Sequence, residues 1–98
     1  MIKHFEKNDN FEELTKARCL IDFYADWCGP CKMMGALLEN MDSSLGIPII
    51  KINTDEHPEL STKMGIMSIP TLILMENSRE VAKHVGYMSE DELKKFIA

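Results

Sequence analysis

The sequence predicts an α/β chain folded as a five-stranded mixed sheet with helices on both faces, and three observations predict it. The first half alternates short apolar runs with segments of helical period, the pattern of strand, helix, strand units. The second half holds two strand-like runs, Pro70 to Met75 and Val81 to Val85, joined by Glu76 to Glu80. That connection is too short for a parallel crossover and long enough for a hairpin. The last segment, Ser89 to Ile97, opens with Ser89 and Glu92 at capping-box spacing and carries Leu93, Phe96 and Ile97 as an apolar stripe.

Taken in order, a short strand is expected at Lys3 to Phe5. Asn8 and Asp9 can cap a helix from about Asn10 to Lys16, with Phe11, Leu14 and Ala17 toward the buried side. Cys19 to Tyr24 is too short and too rich in strand formers for a helix, and reads as a strand buried on both faces in which Asp22 is the anomaly. Met33, Met34, Leu37, Leu38 and Met41 recur at helical spacing, which predicts a helix from near Pro30 to about Asp42, followed by a turn over Ser43 to Gly46. Pro48 to Asn53 is a second buried strand, and Pro58 to Met64 a short helix closed by Gly65.

At 98 residues, the chain is expected to form one domain, residues 1–98. With 45% hydrophobic and 28% charged residues, neither disorder nor a membrane span is expected, and no apolar run approaches the roughly 20 residues a spanning helix requires. A net charge of −5 with scattered lysines argues against nucleic acid or anionic lipid as partners. The polar start, Met1 to Lys7, lacks the apolar stretch of a signal peptide, so a cytoplasmic location is expected. Three cysteines without an export signal speak against a structural disulfide framework and for catalysis or metal binding.

Cys28 and Cys31 sit where a strand hands over to a helix, and the i, i+3 spacing makes them neighbours on one turn. A disulfide across so short a loop removes little chain entropy and would stabilise the fold poorly, whereas reversible redox chemistry suits it. Cys28 falls near the helix N-terminus, where unpaired N–H groups favour a thiolate, so it is the expected nucleophile. Cys31, one turn inside and less exposed, suits the resolving step. Pro30 is tolerated in the first turn, and Gly29 leaves room beside the nucleophile. Half of a zinc site has the same spacing, but Cys19, His4, His57 and His84 stand apart and supply no second ligand pair, so no metal is expected.

The segment Asp22-Phe23-Tyr24-Ala25-Asp26-Trp27-Cys28-Gly29-Pro30-Cys31-Lys32 resembles the active-site segment of thioredoxins. Lys51 to Asp55, Gly65-Ile66, Ser68 to Leu72 and Val85-Gly86 extend the resemblance over nearly the whole chain. It implies the thioredoxin fold, with strand order 1-3-2-4-5 and four flanking helices. It further implies a reductase of protein disulfides in which Cys28 attacks, Cys31 resolves and a buried Asp22 exchanges protons with Cys31. The apolar setting agrees, since burial raises a carboxylate's pKa toward the range of a general base. By the same resemblance Lys51 tunes Asp22, Ile69-Pro70 forms a cis-proline turn, and Trp27, Gly29, Pro30, Ile69, Pro70, Val85 and Gly86 make a shallow groove around Cys28. No bound cofactor is implied beyond the redox-active Cys28–Cys31 disulfide. The partners implied are disulfide-containing clients and a thioredoxin reductase, NADPH- or ferredoxin-dependent, served by a monomer.

The chain departs from the family pattern at Tyr24, where many members carry Trp, and at Gly35-Ala36, where many carry a kinking Pro. Asn77 is the hairpin residue best suited to positive φ. Of the eight methionines, Met33, Met34, Met67 and Met88 flank the groove motifs, where they serve as core filler or as an adaptable binding surface. Cys19 reads as an inert buried thiol. Gly29-Pro30 between the cysteines resembles the reducing members of the family. An oxidant or isomerase on the same fold, and a noncatalytic interaction module, are the alternative readings; redox potential and the effect of losing Cys28 discriminate them.

Overall fold

In the computed structural model, which describes residues 1–98, the chain runs Ile2–His4 (β1), Phe11–Leu14 (α1), Cys19–Tyr24 (β2), Gly29–Leu45 (α2), Ile49–Asn53 (β3), Pro58–Lys63 (α3), Thr71–Glu76 (β4), Arg79–Val85 (β5) and Glu90–Ile97 (α4). The strands form one mixed sheet in the order β1-β3-β2-β4-β5, as expected. β2 lies at its centre, parallel to β3 and antiparallel to β4.

Period-two alternation divides β2 between two cores. Cys19, Ile21 and Phe23 join Ile50, Ile52, Ile73 and Met75 on the face covered by Phe11 and Leu14 of α1 and Leu60 of α3. Leu20 joins Ile49, Leu72, Met34, Leu38, Met41 and Leu93 on the face covered by α2 and α4. Each fully buried Leu, Ile, Phe or Met side chain contributes about 1.5–3 kcal/mol, which lets the central strand carry an unfavourable buried carboxylate. Asp22 shares the parity of Leu20, and Lys51 that of Ile49, so both point to the α2 side. They are also direct register partners across β2 and β3.

Element boundaries moved where side chains outside the periodic pattern decide them. The cap of α1 is Asn10, whose Oδ1 accepts the Glu13 N–H at 3.1 Å, while Asp9 is engaged by the Glu6 N–H and by Lys3. α1 is a single turn and not the helix to Lys16: the carbonyls of Thr15 and Lys16 accept the amides of Ser78 and Asn77 in the β4–β5 hairpin. Thr15 is consequently buried and Ala17 exposed. β1 begins one residue earlier than expected. α2 continues to Leu45, three residues past Asp42, and stops at Gly46, whose φ of 72° is open to glycine at little cost. No break interrupts α2 at Gly35-Ala36.

The hairpin is tighter than the five-residue connection expected. β4 and β5 pair up to Glu76 and Arg79, leaving Asn77 and Ser78 as the turn, with φ of 54° and 60°. Two successive left-handed residues match the right-handed twist of the strands. At α4 the capping box of Ser89 and Glu92 is complete in both directions. No helix is long and apolar enough to cross a membrane.

Candidate active site

Cys28 is the N-cap of α2, with extended backbone at φ −90° and ψ 112°, and Pro30 occupies the first turn. The Cys31 N–H donates to Cys28 Sγ at 3.3 Å. That donor and the helix N-terminus both favour negative charge on this sulfur. The two cysteines are at disulfide distance, with Cα atoms 5.2 Å apart, so the structure shows the oxidised pair.

The expected contrast between an exposed Cys28 and a buried Cys31 is absent: they are 6% and 3% exposed. Cys28 is covered because its sulfur turns inward, 3.8 Å from the Ile69 carbonyl oxygen. The asymmetry lies instead in what each residue faces. Cys28 lines an open cavity of about 520 Å³ together with Trp27, Gly29, Pro30, Thr54, Ser61, Ile66, Met67, Ser68 and Ile69, a set without a single charged side chain. Cys31 lines a different cavity, of about 490 Å³, shared with His4, Tyr24, Gly35, Lys51 and other residues of α2.

Of the groove residues read from the sequence, the structure brings Trp27, Gly29, Pro30 and Ile69 to the Cys28 cavity. Trp27 is 72% exposed and donates Nε1–H to Asp55 at 2.9 Å, which sets it at the rim and not in the core. The Ile69–Pro70 peptide is cis. Pro70, Val85 and Gly86 are not among the lining residues. They adjoin Ile69 through the Gly86 N–H, which donates to the Pro70 carbonyl at 2.8 Å, and through the pairing of Val85 with Thr71. Gly86 has a φ of 102°.

Thr54, Ser61, Ile66 and Ser68 line the cavity and were not singled out from the sequence. The Thr54 N–H and hydroxyl both donate to the Tyr24 carbonyl, and Ser61 Oγ donates to His57. Thr54, Ile66 and Ser68 lie within the family-like segments, which is the signal that could have found them; Ser61 lies outside those segments. The four methionines divide cleanly. Met34 and Met88 are buried core, and the Met88 N–H donates to Met34 Sδ; Met33 and Met67 are 60% and 97% exposed.

On the central strand β2, Asp22 is fully buried and neither of its carboxylate oxygens has a hydrogen-bond partner. Lys51 Nζ is 3.8 Å from Oδ2, an ion pair too long for a hydrogen bond. Burial pushes the Asp22 carboxyl up to about 6, against the pull of Lys51 in the other direction. The Lys51 ammonium also stands 4.6 Å from the centre of the Tyr24 ring. Cys19, buried on the opposite face of the sheet, has its thiol pushed up to about 11 by desolvation, which leaves it unreactive.

A pair of cysteines at disulfide distance at a helix N-terminus, the first of them open to an uncharged cavity, defines a class of protein that exchanges thiols and disulfides. The thioredoxin family profile matches residues 2–98. A thioredoxin from Chlamydia caviae is 44% identical over 91 residues, covering 91% of this chain and 89% of that one. A thioredoxin from Bacillus subtilis is 39% identical over 87 residues, covering 87% and 84%. Among solved structures, a mutant thioredoxin from Halobacterium salinarum superposes with a TM-score of 0.90 at 33% identity, covering 98% of this chain and 87% of that one. The chain belongs to the thioredoxin family, and it is a thiol–disulfide oxidoreductase with protein-disulfide reductase activity.

Proposed function

We propose that the chain is a cytoplasmic, monomeric single-domain reductase of client-protein disulfides in which Cys28, Cys31 and Asp22 have separate tasks. The observation that carries this reading is the placement of Cys28 at the N-cap of α2 with the Cys31 N–H on its sulfur, while Asp22 lies buried and unpartnered on the α2 side of the sheet.

In the reduced protein the Cys28 thiolate attacks one sulfur of the client disulfide, forming a mixed disulfide and releasing the first client thiolate. Asp22 takes the proton of Cys31, whose thiolate then attacks Cys28 Sγ. The Cys28–Cys31 bond forms, the mixed disulfide breaks, and the second client sulfur leaves as a thiol. Two electrons pass to the client; the first client sulfur leaves as a thiolate and takes its proton from solvent, and the second takes the Cys31 proton back from Asp22. Asp22 suits the proton transfer because its ionisation falls near neutral pH, where a base is both available and able to return the proton. Lys51 tunes it as the one cation in ion-pair contact. Trp27, Gly29, Pro30 and Ile69 bound the site of attack, and Pro70, Val85 and Gly86 extend it along the neighbouring backbone for an extended client segment. The pair is recharged by a thioredoxin reductase, using NADPH or ferredoxin as the electron source, and needs no bound cofactor.

Reductase and oxidant separate on potential. Equilibration with glutathione buffers should give a midpoint well below the cytosolic glutathione poise, so that the dithiol donates electrons; a midpoint near about −120 to −180 mV would make the protein an oxidant or isomerase.

A further inference from the structure

Gly35 lies inside α2, four residues after Cys31 and on the same buried face. Glycine is a poor helix former, and it is usually retained where the backbone requires positive φ. Gly35 is not among the positive-φ glycines, which are Gly46, Gly65 and Gly86. The requirement is one of space. A Cβ at Gly35 would stand 3.0 Å from Lys51 Nζ, closer than such contacts ordinarily come. The ammonium therefore occupies the volume that any other side chain at 35 would fill. The ammonium also stands 4.6 Å from the Tyr24 ring centre and 3.8 Å from Asp22 Oδ2.

We propose that Gly35 is a positioning residue: the missing side chain makes the seat in which the Lys51 ammonium rests beside Asp22, and so sets how readily Asp22 exchanges a proton during resolution. The inference rests on the reading of Asp22 as the acid/base group. Its mechanical part, the seating of Lys51, stands on distances alone.

A methyl group at 35 displaces the ammonium outward. Inward lies the buried carboxylate, packed against Leu72 of β4, and outward lies the open cavity lined by Cys31. The charged and titratable groups facing that cavity are His4 from β1, Asp26 from the loop after β2, Lys32 and Glu39 from α2, and Tyr24 and Lys51 themselves. Of these groups only the Lys51 ammonium lies within 4 Å of a Cβ at 35, so the change at Asp22 is the loss of part of its counter-charge. Withdrawing the ammonium by about 0.4 Å, at an effective dielectric constant of about 20, raises the Asp22 ionisation by about 0.3 pH unit.

The test is a carboxyl-carbon NMR titration of Asp22 in the oxidised protein, where neither active-site cysteine ionises, for the wild type, Gly35→Ala, Lys51→Met and the double variant. Gly35→Ala should move the Asp22 midpoint upward without lowering the melting temperature, since alanine favours the helix. The double variant should titrate as Lys51→Met does alone. An unchanged or lowered midpoint in Gly35→Ala, or a shift of the same size in the Lys51→Met background, would overturn the proposal. Should Gly35→Ala fail to fold while the double variant folds, the clash is located at the ammonium and the seat is confirmed; failure of both would refute it. The pH profile of resolution in Asp22→Asn is a separate arm. If it matches the wild type, the acid/base reading of Asp22 fails, while the NMR midpoints still decide the role of Gly35.

Discussion

Cys28→Ser should reduce disulfide substrates no faster than the uncatalysed background, with the fold unchanged. A serine hydroxyl at the N-cap still accepts the Cys31 N–H, and serine is among the preferred N-cap residues, so α2 keeps its start. What is lost is the only cysteine that lines the uncharged cavity. Cys31 cannot take over, because it lines the cavity on the other side, behind the helix start. Turnover in a protein-disulfide reduction assay, with circular dichroism as the check on folding, measures this. Retained activity would mean that the site of attack has been assigned to the wrong residue.

Asp22→Asn should separate stability from activity. The native protein holds the Asp22 proton up to about pH 6, whereas the carboxyl has its ordinary value of 3.8 when exposed in the unfolded chain. Between those values the native state binds more protons than the unfolded state. Stability contributed by this group is therefore fully present below the lower value and is lost as pH rises through the upper one. Across roughly two pH units the loss amounts to about 3 kcal/mol. Asparagine cannot ionise and escapes it. Part of the gain is offset by burying an amide where no hydrogen-bond partner stands ready. The variant should accordingly be about 1–3 kcal/mol more stable than the wild type at pH 7.5 and no more stable at pH 4. Urea unfolding of the oxidised proteins at the two pH values checks it. In the same variant, resolution of a Cys28 mixed disulfide should slow about a hundred-fold, the loss of one general base. A stability difference from the wild type that is the same at pH 7.5 as at pH 4 would show that Asp22 does not ionise between them.

Much of the sheet could be read from the chain because each strand is an apolar run and each run is bounded by turn chemistry. Cys19–Tyr24 matched to the residue, and its one misfit, Asp22, is a fully buried carboxylate on the α2 side of the sheet. Two of the departures share one cause. α1 ends early, and the hairpin closes tightly, because the carbonyls of Thr15 and Lys16 accept the amides of the Asn77-Ser78 turn. No local pattern contains a hydrogen bond between segments so far apart in sequence. The site shows the same division. Cys28, Cys31 and Ile69-Pro70 stand out as motifs, whereas Thr54 and Ser61 line the cavity only because β3 and α3 deliver them there. The covering of Cys28 by the Ile69 carbonyl, and the fit of Lys51 against Gly35, are distances between elements and have no one-dimensional signature.

The division of labour between the two sulfurs is tested most directly by trapping. Cys31→Ser, reduced and mixed with a disulfide-bonded client protein, should accumulate a one-to-one mixed disulfide, and peptide mapping by mass spectrometry should place the client on Cys28. The reciprocal Cys28→Ser protein should accumulate none over the same interval. Equal trapping through Cys31 in that second variant, or attachment of the client to Cys19, would contradict the assignment of Cys28 as attacker and Cys31 as resolver.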